Sequence, residues 1–510
     1  MKKICSLLIL ALFCNPLLAQ KQALHWNFGA FAGFDFSLNC QPTAVADSKI
    51  DTHEGTASIS DSVTGQLLFY SDAIEVWNRE NEPMPNSGDG DPTPGINRGF
   101  SPLSQGALIV PSPDRPSIYY LFSLIDTDPE NTSYNPPGKL SYSRIDMRLD
   151  AGKGDVIVAD KHTFIADGLL GRLTAVRHAN GKDYWLITHQ SGTNAFLVFP
   201  ITAAGIGEAD TIRIGTVSDA KYGYLRASPD GRKLACSSRT LTAHPFDLFD
   251  FNPATGIISN YVNLGNIRVG YGISFSPDNS KLYVSNMTIA GKDGPNVDTE
   301  VIRQYDLSAG DVNAVIASGQ SIIYGNNTLN FNQRDYVISD FYAPALQLGP
   351  DGKLYAASNA NALLCTNCGY RFFVINKPNE PGFAADIKLQ AAELAGGVAG
   401  NATDFPNFMQ HYFNGLESRE CYFDDNELCS EENILLWPNP SNKMLQIVIT
   451  DICFTPYTLS IINVSGQALG EHEVALPRSQ TIDIGLLSAG MYLAKLRFKD
   501  RTIVKRFVKY

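Results

Sequence analysis

Cysteine is the first residue type in this sequence that could do chemistry. Cys365 and Cys368, in Cys-Thr-Asn-Cys, have the spacing of a redox or metal motif. A zinc site would need two further ligands at suitable spacing, and the neighbouring sequence offers none, so a local disulfide is the favoured interpretation. A second disulfide between Cys421 and Cys429 would tie down an acidic turn. Cys236 lies in a predicted strand, where we expect a buried free thiol.

Histidine and serine are the other candidates for nucleophilic or acid–base chemistry. The eight histidines form no His-Glu-x-x-His or other metal-binding spacing. His178 and His189 flank one predicted hairpin and could approach each other, although a structural role is favoured for both. The sequence has no Gly-x-Ser-x-Gly elbow and no Gly-Lys-Ser/Thr phosphate loop. A catalytic triad that only geometry would reveal stays open.

Two acidic loops could bind calcium, which prefers several oxygen ligands. They are Ser87-Gly-Asp89-Gly-Asp91 and Asp126-Thr-Asp128-Pro-Glu130. Neither has the central glycine and closing glutamate of an EF-hand loop, so solvated turns are the favoured interpretation. We therefore expect no cofactor, with calcium as the alternative. The net charge of −12 also argues against nucleic acid as a partner.

The first 20 residues have the pattern of a secretory signal peptide. Lys2 and Lys3 precede a short apolar run, and cleavage is expected between Ala19 and Gln20. No later window has the roughly 20 apolar residues of a membrane helix. We therefore predict that residues 1–19 are removed during export, and we expect no transmembrane segment.

The end of the chain differs in composition from the rest. Residues 435–510 are basic, and residues 417–434, which precede them, are acidic. The acidic stretch is predicted to be a linker, because it solvates well and packs poorly. Short alternating runs and Ser-Gly and Ala-Gly turns after it predict a small antiparallel β-sandwich of the Ig-like type.

This tail resembles the type A sorting domain of the type IX secretion system of Bacteroidetes. The matching segments begin at Trp437, Leu445, Leu459, Ile482 and Lys505. The resemblance implies the type IX machinery as a partner. It also implies passage through the periplasm to the outer surface, where the protein is released or attached. The residues expected to support the fold or its recognition are Pro438, Asn439, Pro440, Gly466, Gly490 and Lys505. The alternative is an ordinary binding sandwich.

The central region, residues 24–416, consists of short strand-like runs separated by turns, which predicts an all-β fold. Each of several related turns predicts the tip of a β-hairpin. These turns are Ser228-Pro-Asp-Gly, Ser276-Pro-Asp-Asn, Gly349-Pro-Asp-Gly, Thr64-Gly-Gln and Asn180-Gly-Lys. The segment Asp386–Leu394 is the one modest helix candidate.

Repeated multi-strand units favour a β-propeller over a tandem of sandwiches, and seven blades of about 56 residues fit the region best. The order of segments resembles a family of uncharacterised propeller proteins that Bacteroidetes secrete. The segments include Trp26-Asn-Phe-Gly, Gln105-Gly-Ala-Leu, Tyr271-Gly-Ile-Ser and Phe405-Pro-Asn-Phe-Met. This resemblance implies a propeller at or beyond the cell surface and no particular activity. The stretch Pro83–Ser104 is longer than the pattern requires and is predicted to be a face loop.

Together these features predict a secreted or cell-surface protein that acts as a non-enzymatic binding or adhesion module for glycans or surface proteins. Loops on a rigid ring are suited to recognition. The alternative is an extracellular glycan-active enzyme, a lyase or hydrolase, with carboxylates, histidine or tyrosine gathered at one face. A tight cluster of ionisable residues with perturbed pKa values at the channel mouth would favour the enzyme.

Overall fold

The structure is a computed structural model, and strands dominate it. It describes residues 21–29, 31–37, 42–52, 54–87, 101–126, 138–240, 243–268, 270–286, 300–324, 328–331, 334–337, 341–342, 345–360, 371–391, 404–417, 434–437, 439–449, 457–474, 479–497 and 502–510. Contacts divide the chain into two compact units, residues 1–419 and 420–510. The predicted all-β class is confirmed for the described residues.

The strands of the first unit form antiparallel sheets that follow the chain order. The first sheet contains β1 (His25–Phe28), β2 (Ala32–Asp35) and β3 (Thr43–Val45). The second contains β4 (Ala57–Ser60), β5 (Leu67–Ser71) and β6 (Val76–Asn78). The third contains β7 (Ser101–Pro111), β8 (Ile118–Asp126), β9 (Gly138–Asp146), β10 (Asp155–Val156), β11 (Thr163–Arg177), β12 (Tyr184–Gln190), β13 (Thr193–Thr202), β14 (Gly205–Ile206) and β15 (Asp210–Ser218).

The later sheets of this unit are smaller. One contains β16 (Leu225–Ala227), β17 (Lys233–Cys236), β18 (Ala243–Asn252) and β19 (Ile257–Arg268). The next contains β20 (Gly270–Phe275), β21 (Lys281–Asn286), β22 (Glu300–Asp306) and β23 (Gln320–Tyr324). A two-stranded hairpin follows, with β24 (Thr328–Phe331) and β25 (Arg334–Val337). The last sheet contains β26 (Phe341–Tyr342), β27 (Leu346–Leu348), β28 (Leu354–Ala360), β29 (Arg371–Ile375) and β30 (Ile387–Ala391).

Strand β11 joins two successive groups of strands into the nine-stranded third sheet. Its first part, from Thr163, pairs with β9, and its last part, to Arg177, pairs with β12. Gly171 permits this arrangement, because a Cβ atom there would lie 2.8 Å from the Lys221 carbonyl oxygen and 2.9 Å from Leu103 Cβ. The first part of β11 therefore completes one group of strands, β7–β9. Its last part begins the next group, which continues with β12, β13 and β15.

The first strand of each group packs against the first strand of the following group. The contacts run from β1 to β4, β7, β11, β16, β20 and β27 in that order. Aromatic rings join the two ends of this series. The ring centroid of Trp26 on β1 lies 5.6 Å from that of Tyr355 on β28, and Phe34 on β2 lies 5.0 Å from Phe372 on β29. The groups of strands therefore succeed one another around a closed path.

The Pro-Asp turns form the hairpins that the sequence predicts. Ser228 N–H donates to the Lys233 carbonyl at 2.9 Å between β16 and β17. The other two copies join β20 to β21 and β27 to β28 in the same way. Gly231 has a φ of 71°, a left-handed conformation that glycine adopts without steric cost. The related turns that contain Gly65 and Gly181 join β4 to β5 and β11 to β12.

The helix prediction for Asp386–Leu394 is wrong where it can be compared. Residues Ile387–Ala391 form β30, which pairs with β29 from Ile375 to Arg371. The stretch contains good helix formers, but it also alternates Ile387, Leu389 and Ala391, and pairing with a neighbouring strand overrides the weak helix preference. Residues 392–394 lie outside the described residues.

The helices of the described residues are short. The α-helix α1 spans Val312–Ala317, and the Asp311 side chain caps it by accepting a hydrogen bond from the Ala314 N–H at 3.0 Å. The 3₁₀ turns are Asp150–Gly152, Val158–Asp160, Gly382–Ala385 and Gln410–Phe413. None of these described helices has the length and hydropathy to cross a membrane.

The second unit contains two antiparallel sheets around one apolar core. The three-stranded sheet contains β31 (Ile434–Trp437), β32 (Met444–Ile449) and β35 (Ser479–Asp483). The four-stranded sheet contains β33 (Tyr457–Asn463), β34 (Ala468–Val474), β36 (Gly490–Arg497) and β37 (Thr502–Lys509). Leu445 and Ile447 from one sheet share a core with Leu459, Ile461 and Phe507 from the other.

Candidate functional site

Residues 404–413, which we call the strap, lie against the first strands of several groups. Phe405 and Phe408 pack on Trp26 of β1, with ring centroids 5.3 Å and 5.8 Å away. The Asn407 N–H donates to the Thr56 carbonyl at 2.8 Å, just before β4. The segment that follows the strap reaches the hairpin before β21, where Gly415 N–H donates to the Pro277 carbonyl at 2.9 Å. The strap therefore occupies the space that the first strands surround.

The side chain of Asn407 fixes the strap to three strands. Its Nδ2 donates to the carbonyls of Leu173 on β11 at 3.0 Å and of Ala107 on β7 at 3.3 Å. Its Oδ1 accepts from Gln105 Nε2 at 3.3 Å and from Arg226 Nη1 at 3.4 Å. Asn407 is buried, so these bonds replace the water that its amide would otherwise need.

Ionisable side chains meet at the start of the strap. Tyr224 donates its phenolic hydrogen to Asp404 Oδ1, and the Phe405 N–H donates to the same oxygen at 2.8 Å. Burial raises the pKa of Asp404 to about 7, the charge of Glu54 adds to the rise, and the Tyr224 hydrogen bond and Arg226 oppose it. Tyr224 is 1% exposed and Asp404 4% exposed, so neither is accessible to a substrate.

Arg226 links the next strands to this cluster. Its Nε donates to the Ile273 carbonyl at 3.3 Å on β20, and its Nη2 donates to the Leu346 carbonyl at 3.2 Å on β27. Nη1 also donates to Gln347 Oε1 at 3.1 Å. Burial lowers the pKa of Arg226, while Tyr224 and Asp404 oppose the change.

A second group of charges lies closer to solvent. Glu54 Oε1 lies 3.2 Å from Arg239 Nη1, and Glu54 Oε2 accepts a hydrogen bond from Ser104 at 2.8 Å. The Arg239 guanidinium lies over the rings of Tyr222 and Tyr271, at 5.4 Å and 5.6 Å. Arg239 is only 33% exposed at its side chain. These ionisable groups therefore form a cluster around the strap, but its members are paired with one another and hold strands and strap together.

A serine, a histidine and an aspartate lie together near the N-terminus of the first unit. His25 Nδ1 and Ser60 Oγ are 3.0 Å apart, and His25 Nε2 is 3.4 Å from Asp35 Oδ1. Burial lowers the pKa of His25, and the charge of Asp35 opposes that effect. These are the residue types of a hydrolase triad, but Ser60 has 0% exposure, so its hydroxyl cannot reach a substrate. No local motif predicted this arrangement, because the residues come from three strands.

Beside His25 lies a pocket of about 400 Å³. Its lining comes from β1, the end of β2, the hairpin between β4 and β5, and the turn after β6, and consists of His25, Ser37, Thr64, Gly65, Gln66, Leu67 and Arg79. Its size is within the range of about 300–1,000 Å³ that is usual for ligand pockets.

Several residues that the sequence singled out lie outside the described residues. They are Ala19, Gln20, Asp89, Asp91, Asp128, Glu130, Cys365, Cys368, Cys421, Cys429 and Pro438, with most of the stretches 83–104 and 417–434. Their predicted disulfides, calcium loops, cleavage site and linker therefore stay predictions. Asp126, which is described, forms an ion pair with Lys221. Among the described residues, no group of three or more His, Cys, Asp or Glu could hold a metal ion.

The two singled-out histidines do not meet. Tyr184 opposes Arg177 and Thr188 opposes Leu173, which separates His178 and His189 by about six residues along the hairpin, or about 20 Å. His178 stacks on Trp185, and His189 meets the ring of Phe196 edge-on at 4.6 Å. The structural interpretation of both histidines fits these contacts.

Cys236 on β17 is a free, buried thiol, as predicted. Burial raises its pKa to about 11, so the thiol stays protonated and unreactive at neutral pH.

In the second unit, Asn439 joins the start of the domain to its last strand. Its Oδ1 accepts from the Val508 N–H at 3.0 Å, and its Nδ2 donates to the Arg506 carbonyl at 3.1 Å. Pro440 follows it through a cis peptide bond.

The glycines and the lysine of the predicted motif have different surroundings. Gly466 has a φ of 84° in the turn after Asn463, where its N–H donates to the Asn463 carbonyl. Gly490 begins β36, and Lys505 lies on β37 opposite Ala494. A Cβ atom at Gly490 would meet only Tyr492, at 3.9 Å.

Residues 435–510 match the family model of the secretion system C-terminal sorting domain. The tail therefore marks the protein as one that the type IX secretion system sorts, and places it outside the cell or on its surface. No curated protein matches the chain.

Solved structures show only distant similarity. A hydrazine synthase from Kuenenia stuttgartiensis is 14% identical, with 70% of this chain and 76% of that chain covered and a TM-score of 0.34. A proposed 6-phosphogluconolactonase from Bacteroides fragilis is 14% identical, with 84% of this chain and 98% of that chain covered and a TM-score of 0.34. A protein from Lactobacillus plantarum is 10% identical, with 84% of this chain and 98% of that chain covered and a TM-score of 0.35. Scores this low establish neither a shared fold nor a shared activity.

Proposed function

We propose that this protein is an extracellular binding or adhesion module, a seven-bladed β-propeller that holds glycans or surface proteins without converting them. The seven-bladed arrangement is supported by the closed succession of first strands and by the Trp26–Tyr355 contact between its ends. The proposed blades are β1–β3, β4–β6, β7–β9 with the start of β11, the rest of β11 with β12, β13 and β15, then β16–β19, β20–β23 and β27–β30.

One observation carries the binding role. The strap fills the space that the first strands surround, which is the channel of the proposed propeller. In a catalytic propeller, the ionisable groups at the channel would face a substrate. Here Tyr224 bonds to Asp404 at the start of the strap and Arg226 bonds to Asn407 within it, and each of Asp404, Tyr224 and Arg226 is at most 4% exposed. Arg226 on β16 also donates to carbonyls on β20 and β27, so these strands and the strap are linked, which makes the ring a rigid support for its surface loops.

The export route completes the proposal. Residues 1–19 act as the signal peptide, residues 417–434 as the linker, and residues 435–510 as an Ig-like sorting sandwich that the type IX machinery recognises. The resemblance to secreted Bacteroidetes propellers supports this reading of the whole chain. Deletion of 435–510 is expected to leave the protein in the periplasm, which cell fractionation followed by immunoblotting measures. Normal secretion of the truncated chain would contradict the proposal.

The binding role is tested with the mature full-length chain on a glycan and polysaccharide array. Retention and the release of reducing ends are read from the same samples. Retention without release is the expected result. Release of reducing ends would favour the alternative, a glycan lyase or hydrolase.

A further inference from the structure

The pocket beside His25 presents hydrogen-bond donors that the fold does not use. Arg79 is exposed, and its Nη1 donates to the Gly152 carbonyl at 2.6 Å. Its remaining guanidinium N–H groups have no partner among the described residues. Gln66 is exposed too, and its side-chain amide is likewise without a described partner, whereas its backbone closes the hairpin with Asp61.

The carboxylates near the pocket are already engaged. Asp61 Oδ1 accepts hydrogen bonds from the N–H groups of Val63 and Thr64, at 2.9 Å and 2.6 Å, and from the Thr64 hydroxyl at 3.0 Å. These bonds lower the pKa of Asp61 and keep it ionised within its own turn. Asp35 accepts from the Ser37 N–H at 2.7 Å and lies beside His25. Among the residues that line the pocket, Arg79 is the one with a permanent charge.

The hairpin wall of the pocket is held in place before any ligand arrives. The Asp61 bonds fix the hairpin that carries Thr64 and Gln66. Gly65 in that hairpin has a φ of 79°, and a Cβ there would lie 2.7 Å from Leu24 Cδ1. A hairpin that is already fixed loses little conformational freedom when a ligand binds, which favours affinity.

We propose that this pocket binds the carboxylate of an acidic sugar, with Arg79 as the anion-binding residue; the inference rests on the proposed binding function and names its ligand class. A guanidinium matches a carboxylate with two parallel hydrogen bonds. The Gln66 amide and the Ser37 hydroxyl supply further partners for ring hydroxyls, and Leu67 supplies apolar surface. An open pocket of about 400 Å³ with one permanent cation and several neutral polar groups suits a uronate ring better than an extended acidic peptide.

The test uses the mature full-length chain and trigalacturonate as the probe, measured by isothermal titration calorimetry. Its fully methyl-esterified form and an acidic tripeptide, tri-glutamate, are the comparison probes. We expect trigalacturonate to bind with a dissociation constant below about 1 mM, and the ester and the peptide to bind at least about tenfold more weakly. Binding should also weaken as the salt concentration rises.

Two variants assign the effect to Arg79. Arg79→Gln should weaken binding at least about tenfold, and Arg79→Lys, which keeps the charge but loses the planar fork, should weaken it less. Arg115→Gln is the matched control, because Arg115 is also an exposed hairpin arginine and pairs only with its neighbour Asp114 among the described residues. It should bind like the parent protein. Arg79→Lys keeps the test interpretable if Arg79→Gln does not fold.

The outcomes separate this inference from the proposed function. Glycan retention that is unchanged in Arg79→Gln would overturn the pocket assignment and leave the binding module intact. Tri-glutamate binding as tight as trigalacturonate would overturn the ligand class. Retention of no glycan or surface protein by the parent chain would contradict the proposed function itself.

Discussion

Tyr224 donates its phenolic hydrogen to the carboxyl group of Asp404, although the two residues are 180 positions apart in the sequence. This bond joins the residue that precedes β16 to the first residue of the strap. Both side chains are buried. The contact therefore couples the last part of the first unit to strands formed much earlier in the chain.

Removing the Tyr224 hydroxyl should destabilise the first unit. Tyr224→Phe leaves the buried Asp404 carboxyl without this donor, which costs about 1–3 kcal/mol. Urea unfolding monitored by tyrosine and tryptophan fluorescence measures the change. The control is Tyr261→Phe, since Tyr261 is 38% exposed and its bonds to Asp247 and Thr216 can be replaced by water. Equal losses in both variants would contradict a special role for Tyr224.

The proton on Asp404 should make stability depend on pH. Its pKa of about 7 in the folded protein lies above its value in the unfolded chain, near 4. Its contribution is therefore complete below about pH 4 and is lost as the pH rises through 7. Asp404→Asn, which cannot lose a proton, should gain stability relative to the parent as the pH rises from 5 to 8. A constant difference in the free energy of unfolding across that range would refute the shift.

His189 should produce the opposite dependence. Burial lowers its pKa to about 3, and the charge of Arg172 adds to the effect. The contribution of the neutral imidazole is present above about pH 6.5 and is lost as the pH falls towards 3. His189→Gln should therefore show a weaker decline in the free energy of unfolding between pH 6.5 and 4.5. The prediction fails if the variant declines as steeply as the parent.

The hairpins show how much of the fold the sequence could predict. The Pro-Asp turns were predictable because proline, aspartate and a residue with positive φ define a turn locally. Ser112-Pro-Asp114, between β7 and β8, forms a related turn, with Ser112 Oγ donating to Asp114 Oδ1 at 2.8 Å, and it could have been found by the same signal. The segment after Asp386 was mispredicted because strand pairing with β29, a non-local contact, decides its conformation.

The site was harder to predict than the fold. The segment Phe405-Pro-Asn-Phe-Met stands out in the sequence, but its place among the first strands depends on contacts with residues such as Thr56, Leu173 and Arg226. Likewise, His25 meets Ser60 only because the first two groups of strands pack side by side. Neither arrangement leaves a local spacing in the sequence.

In the sorting domain, Asn439→Ala should loosen the last strand. The variant loses the side-chain hydrogen bonds to the backbone of Val508 and Arg506. At this exposed site each bond stabilises the domain by no more than about 1.5 kcal/mol. Hydrogen exchange at the Val508 amide, measured by mass spectrometry in the full-length chain, should become faster. Asn463→Ala, which alters a turn between β33 and β34, should leave that amide unchanged. Unchanged exchange in Asn439→Ala would show that β37 does not depend on this side chain.

The most direct test of the central claim is to measure retention and turnover of the same glycans by the mature protein and by its Asp404→Asn variant. The account predicts that both proteins retain the ligand and that neither releases reducing ends or unsaturated products. Product release by the parent would contradict the account of a binding module with an occupied channel, and its loss in an Asp404→Asn variant that unfolds at the same urea concentration as the parent would place the chemistry near the strap.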